Sequence, residues 1–394
     1  MNVPKVKTAV IGCGMISNIY IRNLKKMFYI IDLVAVCDVF AAAAEEKAKT
    51  FGVEKVMTVE EIAQDPEIEL VINLTGPGVH YQIIKQMLEA GKNVFTEKIF
   101  TTDLEQSKEL VRLADEKGLY LGVAPDTVLG AGIQTAKKII ESGLIGEITS
   151  VQVTINRNQL MNSEVFRVLR GAGGQLPYDL GIYYIATLLA VVGPVKEISA
   201  FGNPAPLHEP ELLTINGDLD PWQIPGSNVL TAALRFENGA LGTVHFDGNT
   251  ISAEQHAIAV FGTEGILKIG DPNFFGSEVK LIRGETGECV VPFTHGFDGK
   301  NRVEDPQWFD AYGHRGIGAA ELAWALRTGR KQIRCSKEFG LHCQEVLFGM
   351  DKSVETGAVY KMESGFVMKG LESGHYDTVS NGFATGSAEK SLVK

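Results

Sequence analysis

The chain has 394 residues, is 45% hydrophobic and 22% charged, and carries a formal net charge of −11. It is longer than one hydrophobic core usually supports, so two domains are expected. An acidic balance with no basic stretch excludes a phosphate-tracking surface for nucleic acid. No apolar run reaches the ~20 residues of a membrane-spanning helix, and the N-terminus lacks a signal-peptide apolar core. Cys13, Cys37, Cys289, Cys335 and Cys343 form no C-x-x-C pair and read as free thiols in a reducing compartment. A cytoplasmic location is therefore expected. The eight histidines show no metal-ligand spacing, and no catalytic metal is expected.

In chain order, Val6 to Ile11 (VKTAVI) predicts a short buried strand, and Ile16 to Met27 has apolar residues at helical spacing. Between them stands Gly12-Cys13-Gly14-Met15-Ile16-Ser17. A glycine turn between strand and helix lets backbone N–H groups and the helix N-terminus approach a pyrophosphate. Gly12 permits the turn, Gly14 leaves room for phosphates, and Ser17 takes the place of the third glycine of G-x-G-x-x-G. Gly12, Gly14, Met15 and Ile16 are the candidate cofactor contacts of this turn. A second strand, Leu33 to Cys37, ends at Asp38, about twenty residues beyond the turn, where a dinucleotide fold places its ribose-binding carboxylate. Val39-Phe40-Ala41-Ala42 offers no cation to a 2′-phosphate, so the pattern predicts NAD rather than NADP.

The alternation continues through a strand at Leu70 to Leu74, a helix at Gly78 to Ala90 and a strand at Asn93 to Thr96. A helix N-capped by Asp103 and stopped by Gly118 follows, then a strand at Leu119 to Val123. Repeated βα units predict an α/β domain over residues 1–125 with a doubly wound parallel sheet. The loops after its strands should converge on one crevice. Ile133 to Ser142 predicts a helix joining the two halves.

Beyond it, the runs 148–155, 229–236, 241–246, 257–261 and 279–282 predict a large, mostly antiparallel open sheet. Glu237-Asn238-Gly239 predicts a hairpin turn. Helices are expected at Leu180 to Val192, Gly318 to Thr328 and Ser336 to Val354, the last two packing back on the first domain. Residues 126–370 form the expected second domain, and residues 371–394 a loosely ordered tail.

Two stretches carry candidate chemistry. Glu97-Lys98 follows a strand end, which puts Lys98 at the carboxyl edge beside the cofactor; position alone equally fits a surface lysine that starts a loop. Asp179 and Tyr183 are four apart at a helix start, so both can face one side. They also read as a helix cap and a core aromatic.

Five motifs in this order resemble the Gfo/Idh/MocA oxidoreductases over about residues 5 to 365. They are GCGMIS with Asp38, TGPGVH (Thr75 to His80), AGKNVFTEK (Ala90 to Lys98), GGQLPYDLGIYY (Gly173 to Tyr184) and FGTEGIL (Phe261 to Leu267). The resemblance implies an N-terminal Rossmann domain and a C-terminal α/β domain whose open sheet builds homo-oligomers. Thr75, Gly76, Pro77, His80, Glu97 and Lys98 would then border the cofactor, with His80 making a structural hydrogen bond.

The family's E-K-P becomes Glu97-Lys98-Ile99, losing the proline. Its D-x-G-x-H becomes Asp179-Leu180-Gly181-Ile182-Tyr183, with tyrosine in place of histidine. Ala124-Pro125-Asp126 departs from the commoner asparagine-containing loop. Lys98, Asp179 and Tyr183 are the implied catalytic group. Tyrosine is a poor base at neutral pH unless its anion is stabilised, and Lys98 is expected both to lower the Tyr183 pKa and to hydrogen-bond the substrate. Tyr183 and Asp179 both remain candidates for proton acceptor. The implied substrate is a sugar, cyclitol or glycoside, oxidised at a secondary hydroxyl, with pyranose carbon 3 one option. Its candidate contacts are Arg157, Asn158, Tyr178, Asp179, Tyr183, Trp308, His314 and Arg315. An NAD-dependent glycosidase that oxidises transiently and a non-catalytic dinucleotide-binding regulator are the competing expectations.

Overall fold

The computed structural model describes residues 3–159, 162–163, 166–203, 226–250, 256–284, 287–299 and 313–371. Trp308 and the expected tail from residue 372 lie outside them.

The first sheet contains β1 (Val6–Ile11), β2 (Ile31–Cys37), β3 (Lys55–Val56), β4 (Leu70–Asn73), β5 (Asn93–Thr96) and β6 (Leu121–Val123). Their order is β3-β2-β1-β4-β5-β6 and every pairing is parallel. The order reverses between β1 and β4, the switch point where such sheets bind ligand. Successive residues of a strand face opposite sides. Val10, Val36, Ile72 and Phe95 accordingly join the main core, while Ala9, Ala35, Val71 and Val94 build a second cluster on the other face.

The connecting helices are α1 (Ser17–Lys26), α2 (Ala41–Phe51), α3 (Val59–Gln64), α4 (His80–Glu89) and α5 (Leu104–Lys117). Asp103 accepts the Gln106 N–H as N-cap of α5, and Gly118 ends that helix in the left-handed conformation. The expected helix from Gly78 begins instead with a short 3₁₀ turn, Pro77–Val79, because Pro77 suits only the first turn of a helix.

Helix α6 (Ala131–Glu141) leads to the second sheet. Its strands are β7 (Ile148–Asn156), β8 (Val195–Asn203), β9 (Val229–Phe236), β10 (Leu241–Asp247), β11 (His256–Gly262), β12 (Ile266–Ile269), β13 (Val279–Ile282), β14 (Glu288–Val290) and β15 (Tyr360–Lys361). The order is β14-β13-β12-β11-β7-β10-β9-β8-β15, antiparallel except for the central β7–β10 pair. Along β9 burial alternates residue by residue, so one face of the sheet meets the core and the other stays open.

Helix α7 (Ile182–Val192) is buried at every residue. The last two helices, α8 (Ile317–Thr328) and α9 (Lys337–Thr356), return to the first sheet and pack on β5, β6 and α5. The approach is close: a Cβ on Gly318 would lie 2.6 Å from the Phe95 ring, and one on Gly340 2.5 Å from Val123 Cβ. Among the described residues no helix is long and apolar enough to cross a membrane.

Candidate active site

The turn after β1 is built as its sequence requires. Gly12 has φ +103°, and a Cβ there would sit 2.6 Å from the Leu74 carbonyl carbon. Only glycine fits that conformation and that approach. A Cβ on Gly14 would meet nothing within 4 Å, which is the open space a diphosphate over the α1 N-terminus needs. Ser17 is buried and its hydroxyl donates to the Gly14 carbonyl at 2.6 Å. Asp38 caps β2 and fastens this turn: its carboxylate accepts the Cys13 N–H at 2.7 Å and the Phe40 N–H at 2.9 Å. The residues present therefore fit a dinucleotide.

Beside the turn lies a cavity of about 430 Å³, walled on one side by Met15, Ile16, Thr75, Gly76, Pro77 and Lys98 and on the other by Arg157, Tyr178, Asp179 and Tyr183. The first set stands on loops at the ends of the parallel strands and at the start of α1, the second at the end of the strand Ile148–Asn156 and on the helical stretch 177–192. Phe166, Leu169 and Ala172 add an apolar wall. His80 is fully buried and stands behind this lining. Its ring nitrogens lie 2.7 Å from the Ile99 carbonyl and 2.9 Å from the Thr75 carbonyl, which ties the two cofactor-side loops together. Glu97 accepts the Tyr20 hydroxyl at 2.6 Å and the Lys98 N–H at 2.9 Å. The Lys98–Ile99 peptide is cis, as is Ala124–Pro125.

Asp179 lies in a single π turn, Pro177–Gly181, that runs into α7, where an ordinary helix start at Leu180 was expected. This wider turn still leaves Asp179 and Tyr183 on one cavity. Lys98 Nζ donates to the Asp179 backbone carbonyl at 2.6 Å and to its carboxylate at 3.0 Å. Arg157 and Gln159 approach the other carboxylate oxygen at 3.5 and 3.3 Å. Burial pushes the Asp179 carboxyl up, but Lys98, Arg157 and Gln159 outweigh it, and the group is held below the usual carboxylate range. Burial likewise opposes the Lys98 ammonium, and Asp179, Tyr183 and Glu97 together reverse that and raise its pKa.

Tyr183 differs from expectation. Burial raises its pKa, and the pull of Arg315 and Lys98 does not reverse the shift. Lys98 does not touch the hydroxyl, because its nitrogen sits 5.2 Å over the centre of the ring. The cation on the hydroxyl oxygen is Arg315, whose NH2 lies 3.2 Å from it. Arg315, expected as a sugar contact, borders the cavity but is 1% exposed and packed among Tyr183, Asp126 and Asn273.

Two other expected substrate contacts are turned away. His314 is absent from the cavity lining and packs between the Phe275 and Phe297 rings, its Nδ1 accepting the Gly299 N–H at 3.2 Å. Asn158 is buried in a bridge to Asn249 and also does not line the cavity. Gln159 and Asn273 were not anticipated, since neither sits in a spacing pattern that marks a site. No group of His, Cys, Asp or Glu among the described residues could hold a metal ion.

The switch-point sheet, the glycine turn and the two-sided cavity define an NAD-binding oxidoreductase architecture. Residues 6–124 match the family model described as "Oxidoreductase family, NAD-binding Rossmann fold", and residues 133–268 match the Gfo/Idh/MocA C-terminal domain. The chain belongs to the Gfo/Idh/MocA oxidoreductase family. It is 32% identical over 199 residues to scyllo-inositol 2-dehydrogenase (NADP(+)) of Bacillus subtilis, an alignment covering 50% of this chain and 55% of that protein. The chain spans about half the length of the first curated relatives it matches. Trans-1,2-dihydrobenzene-1,2-diol dehydrogenase of Bos taurus is 25% identical over 73% of this chain and 80% of its own length. Among solved structures, levoglucosan dehydrogenase in complex with NADH shares the fold with a TM-score of 0.76 at 20% identity, covering 91% of this chain and 100% of that one.

Proposed function

We propose that this protein oxidises a secondary hydroxyl of a sugar, cyclitol or glycoside, with Lys98, Asp179 and Tyr183 handling the proton and the substrate oxygens. The observation that carries this reading is the meeting of these three side chains, one from the loop after β5 and two from the helical stretch 177–192, in one cavity with the dinucleotide turn. NAD, when bound, accepts the hydride from the carbinol carbon. Asp179, ionised and paired with Lys98, orients the ammonium and accepts hydrogen bonds from substrate hydroxyls. Lys98 and Arg157 donate to substrate oxygens. Tyr183 Oη, after releasing its own proton to solvent, takes the hydroxyl proton in oxidation as the phenolate, and as the neutral phenol it gives that proton back in reduction. The apolar wall of Phe166, Leu169 and Ala172 suits the C–H face of a sugar ring or an aglycone.

Asp38, with no cation at 39–42, supports NAD over NADP, although the Bacillus subtilis relative is named for NADP(+). Residues 1–125 would serve the cofactor and residues 126–370 the substrate. The open face of the second sheet, with Thr231, Ala233 and Thr243 exposed on neighbouring strands, would join copies of the chain.

The test is an NAD and NADP reduction screen against free sugars, inositols and glycosides, with NMR of the product. A ketone at one defined carbon is expected, and faster reduction of NAD. Lys98→Met should keep NAD affinity and lose roughly 10²–10⁴ in turnover, the usual worth of a proton-handling group. Nitrophenol release from a nitrophenyl glycoside without net NADH would replace this reading by glycosidase action. Failure of the protein to bind NAD in calorimetry would end it.

A further inference from the structure

We propose that Arg315, braced by Asp126, is the positioning residue that aims the Tyr183 hydroxyl and stabilises its anion, a task the chain's sequence pattern would give to Lys98. The inference rests on the dehydrogenase reading for its chemical purpose, but its geometry stands independently of any substrate. A guanidinium has five donors and no acceptor. At 3.2 Å, then, Arg315 can only donate to Tyr183 Oη, and the phenol's own proton must point elsewhere. Ionising the phenol leaves the hydrogen bond from Arg315 in place and adds a charge to it, and charge-assisted bonds are roughly twice as strong as neutral ones. Lys98 lacks this geometry, since its hydrogen bonds to Asp179 hold it over the ring face.

The guanidinium is itself fixed on several sides. Its NH2 also donates to Asn273 Oδ1 at 2.8 Å, and NH1 lies 3.7 Å from Asp126 Oδ1. Asp126 Oδ2 accepts the Gly316 and Gly318 N–H groups at 2.8 and 3.2 Å, which locks the chain just after Arg315. The Arg315 carbonyl accepts Asn23 Nδ2 at 2.9 Å, so α1 of the dinucleotide domain holds the same residue. Asp126 and Arg315 are both buried completely or nearly so. One guanidinium nitrogen donates to both Tyr183 and Asn273 while the other keeps an ion pair with Asp126, a planar spread that a single lysine ammonium on a flexible stem does not reproduce.

The charged groups facing this phenol are Arg315 and Lys98, which favour its anion, and Glu97 and Asp179, which oppose it. Behind them, Asp126 tempers Arg315, Arg157 tempers Asp179, and the Tyr20 hydroxyl sits on Glu97. Of the two favourable charges, Arg315 acts on the phenol more strongly than Lys98.

The experiment places 3,5-difluorotyrosine at position 183 of the full-length protein and follows its ionisation by fluorine NMR, with and without NAD. No substrate or turnover is needed. Relative to the Arg315 protein, Arg315→Met should weaken the probe's acidity at least tenfold, and Lys98→Met should weaken it less. Arg315→Lys keeps a positive charge, serves if the methionine variant fails to fold, and should weaken acidity at least threefold. Asp126→Asn should broaden the fluorine resonance as the guanidinium loses its brace. An unchanged titration in whichever Arg315 variant folds, or a larger shift in Lys98→Met, overturns the proposal. Should the screen for dehydrogenase activity fail while these shifts appear, the function is wrong and the Arg315 assignment stands.

Discussion

Gly12 and Gly14 have opposite relations to their surroundings, and that contrast separates fold from binding. Gly12→Ala must force a Cβ into the Leu74 backbone at positive φ, so it should lower stability as well as NAD affinity. Gly14→Ala projects into open space, so its melting temperature should stay near wild type while NAD affinity falls. Calorimetry and thermal melts on both variants check this; a Gly14→Ala protein that binds NAD normally would show that the diphosphate lies elsewhere. That Lys98, Asp179 and Tyr183 meet on one cavity was legible through the motif resemblance, since position alone fitted a loop lysine, a helix cap and a core aromatic equally well. Arg315 on Tyr183 was not, since the partners are 132 positions apart and no spacing rule connects them. His314 and Arg315 are chain neighbours, yet one packs between aromatic rings and the other reaches the site. Only tertiary packing decides which of two adjacent polar residues turns inward.

At the level of elements, the βα units were legible wherever a buried run met a glycine or a capping residue. The expected strand at 229–236 and the α5 cap at Asp103 fall where they were read. Strand β3 has two residues, too few to produce any period. The π turn at Pro177–Gly181 has no signature of its own, because its sequence reads as an ordinary helix entry. The late helices were expected to return to the first domain, and they do so through glycines that permit near contact. Gly340→Val should therefore clash with Val123 and lower stability by about 1–3 kcal/mol, the range for overpacking. Urea unfolding would show a lower midpoint at unchanged slope. An unmoved midpoint would mean that α9 lies farther from β6 than described here.

For the molecule as a whole, buried histidines set the response to acid. His342 Nε2 accepts the Val195 N–H at 3.0 Å, and His314 Nδ1 accepts the Gly299 N–H, so protonating either ring costs a hydrogen bond as well as desolvation. Burial depresses both to about 4, and lowers His80 and His295 as well. An unfolded histidine titrates near 6.5. Between pH 6.5 and 4 the unfolded chain therefore binds more protons, and stability falls as pH falls, by about 1.4 kcal/mol per pH unit for each such ring. Asp126 acts in the opposite sense: burial lifts it to about 6, so its contribution is lost as pH rises toward that value, partly offsetting one histidine. Urea midpoints from pH 7 to 4.5 should decline steeply in the wild type and less steeply in His342→Gln. Equal slopes would show that His342 is already charged in the folded state.

The return of α9 to β6 also bears on how the chain is made. Roughly 230 residues separate Val123 from the end of that helix at Thr356. At translation rates of 5–20 residues per second, the apolar surfaces at Phe95 on one face and Val123 on the other wait about 10–50 s for their cover. A ribosome carrying this nascent chain thus displays a parallel sheet whose β5–β6 edge is still uncovered on both faces.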